Sequence, residues 1–319
     1  MRCTTFLPAL VAFAASCAAA ETRDAFDGGG DAALDAEARF DAWTLGDSGA
    51  PPDASTCSPP DLLVVLDRTD SMKKEPSGAT PTNNPTGHAL TKWALACDAV
   101  KAASAPPADE GIRFGLELFP LDPQVVTDAG GAGHCETLTA LLGGAASTNT
   151  ECMPGEPVVA PDVGTGAQIA TILDPETLDL CISTPIAGAL TTAQGTLAQM
   201  TDPGRKIVVL VTDGGETCVT SAEDITITQG LASAGISTYV VGFGAADAGA
   251  AGVNVALLND LACAGMTASS FATSCTKSGS GYVAVAPNGP PLFFLAEDGT
   301  ALQGALASVT KDVCCDCVH

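Results

Sequence analysis

Two apolar runs, each delivering an aspartate to the head of a polar turn, constrain this chain more than any other feature. The first, Leu62-Leu-Val-Val-Leu66, passes directly into Asp67-Arg-Thr69-Asp-Ser71. The second, Lys206-Ile-Val-Val-Leu-Val-Thr212, ends in Asp213-Gly214-Gly215. Short aliphatic runs without polar alternation suit strands buried on both faces of a parallel sheet. Ligands of such sheets bind outside the carboxyl ends of the strands. Both aspartates fall there.

Asp67, Thr69 and Ser71 present one carboxylate and two hydroxyls at alternate positions of one turn. Hard oxygen donors without sulfur or imidazole suit Mg²⁺, Mn²⁺ or Ca²⁺ rather than zinc or copper. The same residue types are ordinary turn and helix-cap residues, so the triplet alone reads first as a cap. A third segment changes the balance. Ser183-Thr184-Pro185-Ile186 opens an apolar helical pattern, with Thr184 in the cap position and Pro185 in the first turn. Three segment ends, each carrying an oxygen ligand, can meet at one edge of a sheet.

Over roughly residues 60 to 312 this pattern resembles the von Willebrand factor type A domains. Their metal-ion-dependent adhesion site uses an Asp-x-Ser-x-Ser turn, a later Thr and a later Asp-Gly. The resemblance implies a metal site made of Asp67, Thr69, Ser71, Thr184 and Asp213. It implies a three-layer α/β/α, doubly wound, mostly parallel (Rossmann-like) fold. Thr69 and Ser71 would touch the cation directly, Asp67 and Asp213 would supply charge directly or through water, and Thr184 would complete the set. Mg²⁺ is the first choice, with Mn²⁺ and Ca²⁺ as alternatives. The implied function is binding of a protein partner whose carboxylate completes the cation's shell, as in adhesion. In an alternative reading the cation only stabilises a structural module of the cell envelope. Three departures stand out: Thr69 replaces the commoner Ser, Asp70 adds a carboxylate beside the site, and Ser183 precedes the Thr where Gly is frequent.

The net charge of −24 excludes the basic face that nucleic-acid binding needs, and it disfavours anionic lipid surfaces. Residues 1–20 read as an export leader, with Arg2, the apolar stretch Phe6 to Ala15 and the small residues Ala18 to Ala20. A competing reading makes Ala15-Ser16-Cys17 a lipoprotein cleavage site with Cys17 acylated, although Ala14 stands where Leu is usual. Membrane contact would then pass through that lipid. Residues 21–56 carry nine acidic side chains against Arg23 and Arg39, and read as a disordered linker. Thirteen cysteines fit an oxidising compartment: the periplasm, the outer membrane or the cell surface. Cys135 with Cys152 and Cys263 with Cys275 are the nearest plausible pairs, and Cys314, Cys315 and Cys317 suit disulfides better than a metal.

Residues 57–319 read as one domain, with a cysteine-bearing loop at 120–163. Strands are expected at Leu62 to Leu66, Ile112 to Phe119, Lys206 to Thr212, Ile236 to Phe243 and Tyr282 to Ala286, with a short edge strand near Val158. Helices are expected around His88 to Ala103, Gln168 to Leu173, Pro185 to Met200, Ala222 to Ala234, Val255 to Ala262 and Ala301 to Lys311. This alternation is that of a parallel sheet with covering helices. Gly242-Phe-Gly244 lacks the third glycine of a dinucleotide loop and reads as a turn. No phosphate-binding Gly-x-x-x-x-Gly-Lys loop occurs, and His88, His134 and His319 accompany no nucleophile motif. The expected molecule is a binding domain and not an enzyme. Trp93 is expected to pack its helix on the sheet, and Glu216 to be an exposed loop carboxylate.

Overall fold

The computed structural model describes residues 58–83, 90–121, 152, 154–173, 175, 183–246 and 252–315. The leader, the acidic segment, His88, His134, Cys135 and Cys317 lie outside them, and the side chains of Cys314 and Cys315 are likewise not described. The strands in chain order are β1 (Asp61–Asp67), β2 (Arg113–Phe119), β3 (Glu156–Asp162), β4 (Lys206–Thr212), β5 (Ile236–Phe243), β6 (Cys275–Ser278), β7 (Gly281–Ala284) and β8 (Phe294–Ala296). The helices are α1 (Lys92–Ala103), α2 (Ala108–Gly111), α3 (Gly166–Ile172), α4 (Ile186–Ala198), α5 (Ser221–Ser233), α6 (Val255–Ala264), α7 (Phe271–Ser274) and α8 (Gly299–Cys315).

Six strands form the main sheet in the order β3-β2-β1-β4-β5-β8. All neighbours run parallel except β3, which pairs antiparallel with β2 at the edge. The period of two along a strand divides the core between the faces. Leu62, Val64 and Leu66 join Trp93, Ile169 and Leu306, under α1, α3 and α8. Leu63 and Val65 join Ile186, Leu190, Leu231 and Leu258, under α4, α5 and α6. The aliphatic runs are therefore buried on both sides, and the three-layer doubly wound architecture follows. Gly242 is required where β5 passes beneath this second layer, since a Cβ there would meet Phe293 at 2.5 Å and Val253 at 2.8 Å. Among the described residues no helix is long and apolar enough to cross a membrane.

Two expectations change. The strand at Tyr282 to Ala286 is β7, and it pairs with β6 in a separate two-stranded ribbon. The sheet's last strand is β8, three residues that pair with Val241, Gly242 and Phe243. A segment so short carries no readable period.

β2 also buries a charge-bearing group that alternation assigns to the core. Glu117 has no solvent exposure, and neither carboxyl oxygen has a hydrogen-bond partner. Burial pushes its pKa from 4.5 up to about 9. The neutral acid is thus the form that the fold accommodates. Because the folded value lies above the unfolded one, stability is fully present below the unfolded value of 4.5 and is lost as pH rises toward about 9. The loss is about 1.4 kcal/mol per pH unit within that window. Glu117→Gln carries no titrating proton, so its melting temperature should match that of the wild type near pH 4 and exceed it increasingly toward pH 8. Melting curves across that range check it, and a constant difference would remove Glu117 as the cause.

Candidate metal centre

β1 and β4 lie side by side in parallel register, with Leu66 opposite Val211. The chain leaves β1 toward β2 and β3, whereas β4 continues to β5 and β8 on the other side. The crevice between β1 and β4 is therefore the point where the strand order reverses, the usual ligand position of open α/β sheets. Asp67 and Asp213 emerge into it, at 0% and 1% exposure.

Asp67 Oδ1 accepts the backbone N–H of Thr69 at 2.8 Å, and Oδ2 accepts the Thr212 hydroxyl at 2.6 Å. The first bond is the local turn that short polar residues favour. Burial and then the neighbouring Asp213 raise the pKa of Asp67, while the bonds from Thr212 and Thr69 oppose the rise. Thr69 begins a short 3-10 turn, Asp70–Lys73, in extended conformation, yet its side chain makes no capping bond. Its Oγ1 lies 2.9 Å from Ser71 Oγ, and Ser71 donates to Asp213 Oδ1 at 2.7 Å. The cap reading of this turn thus fails for both hydroxyls, and the Asp67 carboxylate closes a local turn ahead of the cap. Arg68, between Asp67 and Thr69, turns the other way: its Nε donates to the Pro120 carbonyl at 2.7 Å and its guanidinium pairs with Glu156 at 3.2 Å. Asp70, expected beside the site, is exposed and pairs with Lys73 at 2.9 Å.

Thr184 does not cap α4. Pro185 occupies the cap position, with no side-chain capping bond. Thr184 is instead held through its backbone, its N–H donating to Thr217 Oγ1 at 2.7 Å and its carbonyl accepting the Thr217 N–H at 3.2 Å. Its Oγ1 lies 3.9 Å from where a Cβ on Gly214 would stand, which places it against the Asp213-Gly214 turn. All five sequence-predicted residues are thereby gathered at one strand junction.

The loop after β4 supports this gathering in ways the sequence reading missed. Glu216 is half-buried: Oε1 accepts the Val219 N–H at 3.1 Å, and Oε2 accepts the Ala187 N–H at 3.1 Å in the first turn of α4. Carboxylates are favoured there by the unpaired amides and the helix dipole. Asp224, fully buried, is pushed up to about 8 by burial first and Glu216 second. Cys218 is bonded to Cys152, joining residues 66 apart, so the expected Cys135–Cys152 pair is replaced; the Cys263–Cys275 pair is present. The nearest cysteine in sequence lost to the nearest in space, which chain order does not report. The last missed residue is Lys92. It has no exposure, and its ammonium pairs with Asp213 Oδ2.

The donor set suits a hard cation, since every candidate oxygen is a carboxylate or hydroxyl. Among the described residues no group of three or more His, Cys, Asp and Glu could hold a metal. Neighbouring ligands of an octahedral Mg²⁺ at about 2.0–2.1 Å stand roughly 2.9 Å apart. The Thr69–Ser71 and Ser71–Asp213 oxygen separations, 2.9 and 2.7 Å, are close to that edge length. The residues present therefore fit a small divalent ion.

No family model matches the sequence, and no curated protein matches it. Solved structures do match. The pilus adhesin SpaC from Lactobacillus rhamnosus GG is similar with a TM-score of 0.51 at 13% identity, over 82% of this chain and 31% of the adhesin. A von Willebrand factor type A structure from Catenulispora acidiphila gives 0.48 at 13% identity, over 80% of this chain and 43% of that one. Manganese-loaded TRAP protein from Plasmodium vivax gives 0.46 at 14%, over 80% and 74%. The chain thus spans less than half of the first two. At these identities the likeness speaks for the fold alone, and the SpaC match agrees with a mostly parallel sheet covered by helices on both faces.

Thr212 offers a direct test of how Asp67 is held. Thr212→Val keeps the shape but leaves a buried carboxylate oxygen without its donor, a loss worth about 1–3 kcal/mol. Chemical denaturation should show that loss at neutral pH, and an unchanged midpoint would mean that the bond contributes nothing.

Proposed function

We propose that this von Willebrand factor type A fold binds a divalent cation, Mg²⁺ by first choice, in the crevice between β1 and β4 and uses it to hold an acidic group of a protein partner. The observation that carries this reading is the unbroken run of oxygens from Thr69 through Ser71 to Asp213, at separations of 2.9 and 2.7 Å. Thr69 and Ser71 hold the ion directly, Asp67 and Asp213 provide the opposing charge, and Thr184 closes the set from the α4 side. A bound cation supplies Lewis acidity toward a partner's carboxylate. The chain's own residues fix the direction of that attraction: Asp67 is locked by Thr69 and Thr212, and Thr184 is locked by Thr217. The domain is read as a binding module.

Export of the domain is part of the same proposal. The Cys152–Cys218 and Cys263–Cys275 pairs support an oxidising compartment. Attachment through an acylated Cys17 would place the domain at a membrane surface, with the acidic segment as spacer.

Titration calorimetry with Mg²⁺, Mn²⁺ and Ca²⁺, together with capture of envelope proteins with and without EDTA, tests the reading. The wild type should bind a cation and capture a partner in a chelator-sensitive way, and Asp67→Ala should lose both. If chelation lowers the melting temperature while capture is unchanged, the cation serves only to stabilise the domain and the adhesive reading fails.

A further inference from the structure

Lys92 is an unusual residue for its position. It opens α1, directly after Thr91, whose hydroxyl caps the helix by accepting the Ala94 N–H at 3.0 Å. A cation at a helix N-terminus opposes the helix dipole. Full burial of an ammonium adds a larger desolvation cost unless a charge compensates it. The compensation is in place, because the ammonium pairs with Asp213, the same carboxylate that takes the Ser71 hydroxyl on its other oxygen. The backbone is pinned as well, the Lys92 N–H donating to the Lys74 carbonyl at 2.8 Å just beyond the 3-10 turn. On the far side lies Gly244, at φ 141°, where a Cβ would stand 3.8 Å from the Lys92 Nζ.

We infer that Lys92 is a tethered cation built into the metal site: it neutralises Asp213 when no metal is bound, and so weakens divalent-cation binding while biasing the loaded site toward acidic ligands. The inference rests on the metal-binding reading above and concerns a residue outside the proposed ligand set. The charges decide its sense. Counted with both carboxylates ionised, Asp67 and Asp213 against Lys92 leave one net negative charge, so a divalent ion makes the site positive, and one carboxylate from a partner returns it to neutrality. Without Lys92 the divalent ion alone would neutralise the site, and a partner's carboxylate would overcharge it. Lys92 therefore lowers the affinity of the empty site for the cation and raises that of the loaded site for an acidic ligand. The site holds its shape without metal for the same reason.

The test compares wild type and Lys92→Met by calorimetric titration with Mn²⁺ alone, then with Mn²⁺ in the presence of acetate as a carboxylate probe, with melting curves in EDTA and in Mn²⁺. Lys92→Met should bind Mn²⁺ at least about tenfold more tightly, a modest part of the roughly thousandfold that one unit charge about 4 Å away gives at an effective dielectric of about 20. Its acetate enhancement should be smaller than that of the wild type. It should also melt lower than the wild type in EDTA and recover in Mn²⁺. If Lys92→Met does not fold even in Mn²⁺, Lys92→Met with Asp213→Asn should fold, because both charges are then gone; failure of that pair too would overturn the inference. A wild type that binds Mn²⁺ while Lys92→Met binds it no more tightly overturns the inference alone. Absence of Mn²⁺ binding by both proteins overturns it together with the metal-binding reading.

Discussion

Two carboxylates buried side by side at the end of a parallel sheet are the constraint around which this structure is arranged. Carboxylates in a dry site repel each other and lose their hydration, and only donors or opposing charge make the arrangement tolerable. Thr69 and Thr212 serve Asp67, while Ser71 and Lys92 serve Asp213. Those partners come from the 3-10 turn with its cap, from the end of β4 and from the start of α1, so the two acids indirectly dictate how three segments begin or end. The sheet order supplies the meeting place, because β1 and β4 are neighbours only where the winding direction reverses.

A second arrangement holds the far wall. The Asp213-Gly-Gly-Glu216-Thr217-Cys218 loop is bonded to the start of α4 through Thr217 and Glu216 and to the approach of β3 through Cys152. Thr184 is thus positioned by backbone bonds and not by a role in its own helix. Its side chain is released from capping duty, which Pro185 cannot perform either.

Much of this was legible from residue order. Aliphatic runs report burial on both faces directly, and β4 and β5 fall at their expected bounds. Four of the five oxygen-bearing residues follow an aliphatic run, and Thr184 stands just ahead of a helical pattern, so residue order drew attention to all five. What stayed hidden has physical reasons. β8 is too short to carry a pattern, and β7 shares strand composition with the sheet it does not join. Lys92 could have been noticed as a cation at the wrong end of a helix, but its partner lies more than a hundred residues away. The Cys152–Cys218 bond joins the loop after β4 to the approach of β3, a proximity in space that spacing along the chain does not encode. Glu216 looked like a solvated loop acid because its acceptors' donors, the amides of Ala187 and Val219, are invisible in side-chain chemistry.

The Cys152–Cys218 bond also carries a history. It closes a segment of 66 residues, a constraint on the unfolded chain worth about 4 kcal/mol in the chain-entropy picture. That segment contains β3, α3, α4 and β4, hence both Thr184 and Asp213. The loop that follows Asp213 is therefore held by an oxidation event as well as by folding. A newly made chain with its thiols reduced has all the oxygens of the site but lacks the covalent tie on the loop beside Asp213. Maturation of the crevice is in this sense a chemical step, written into the redox state of the place where the chain folds.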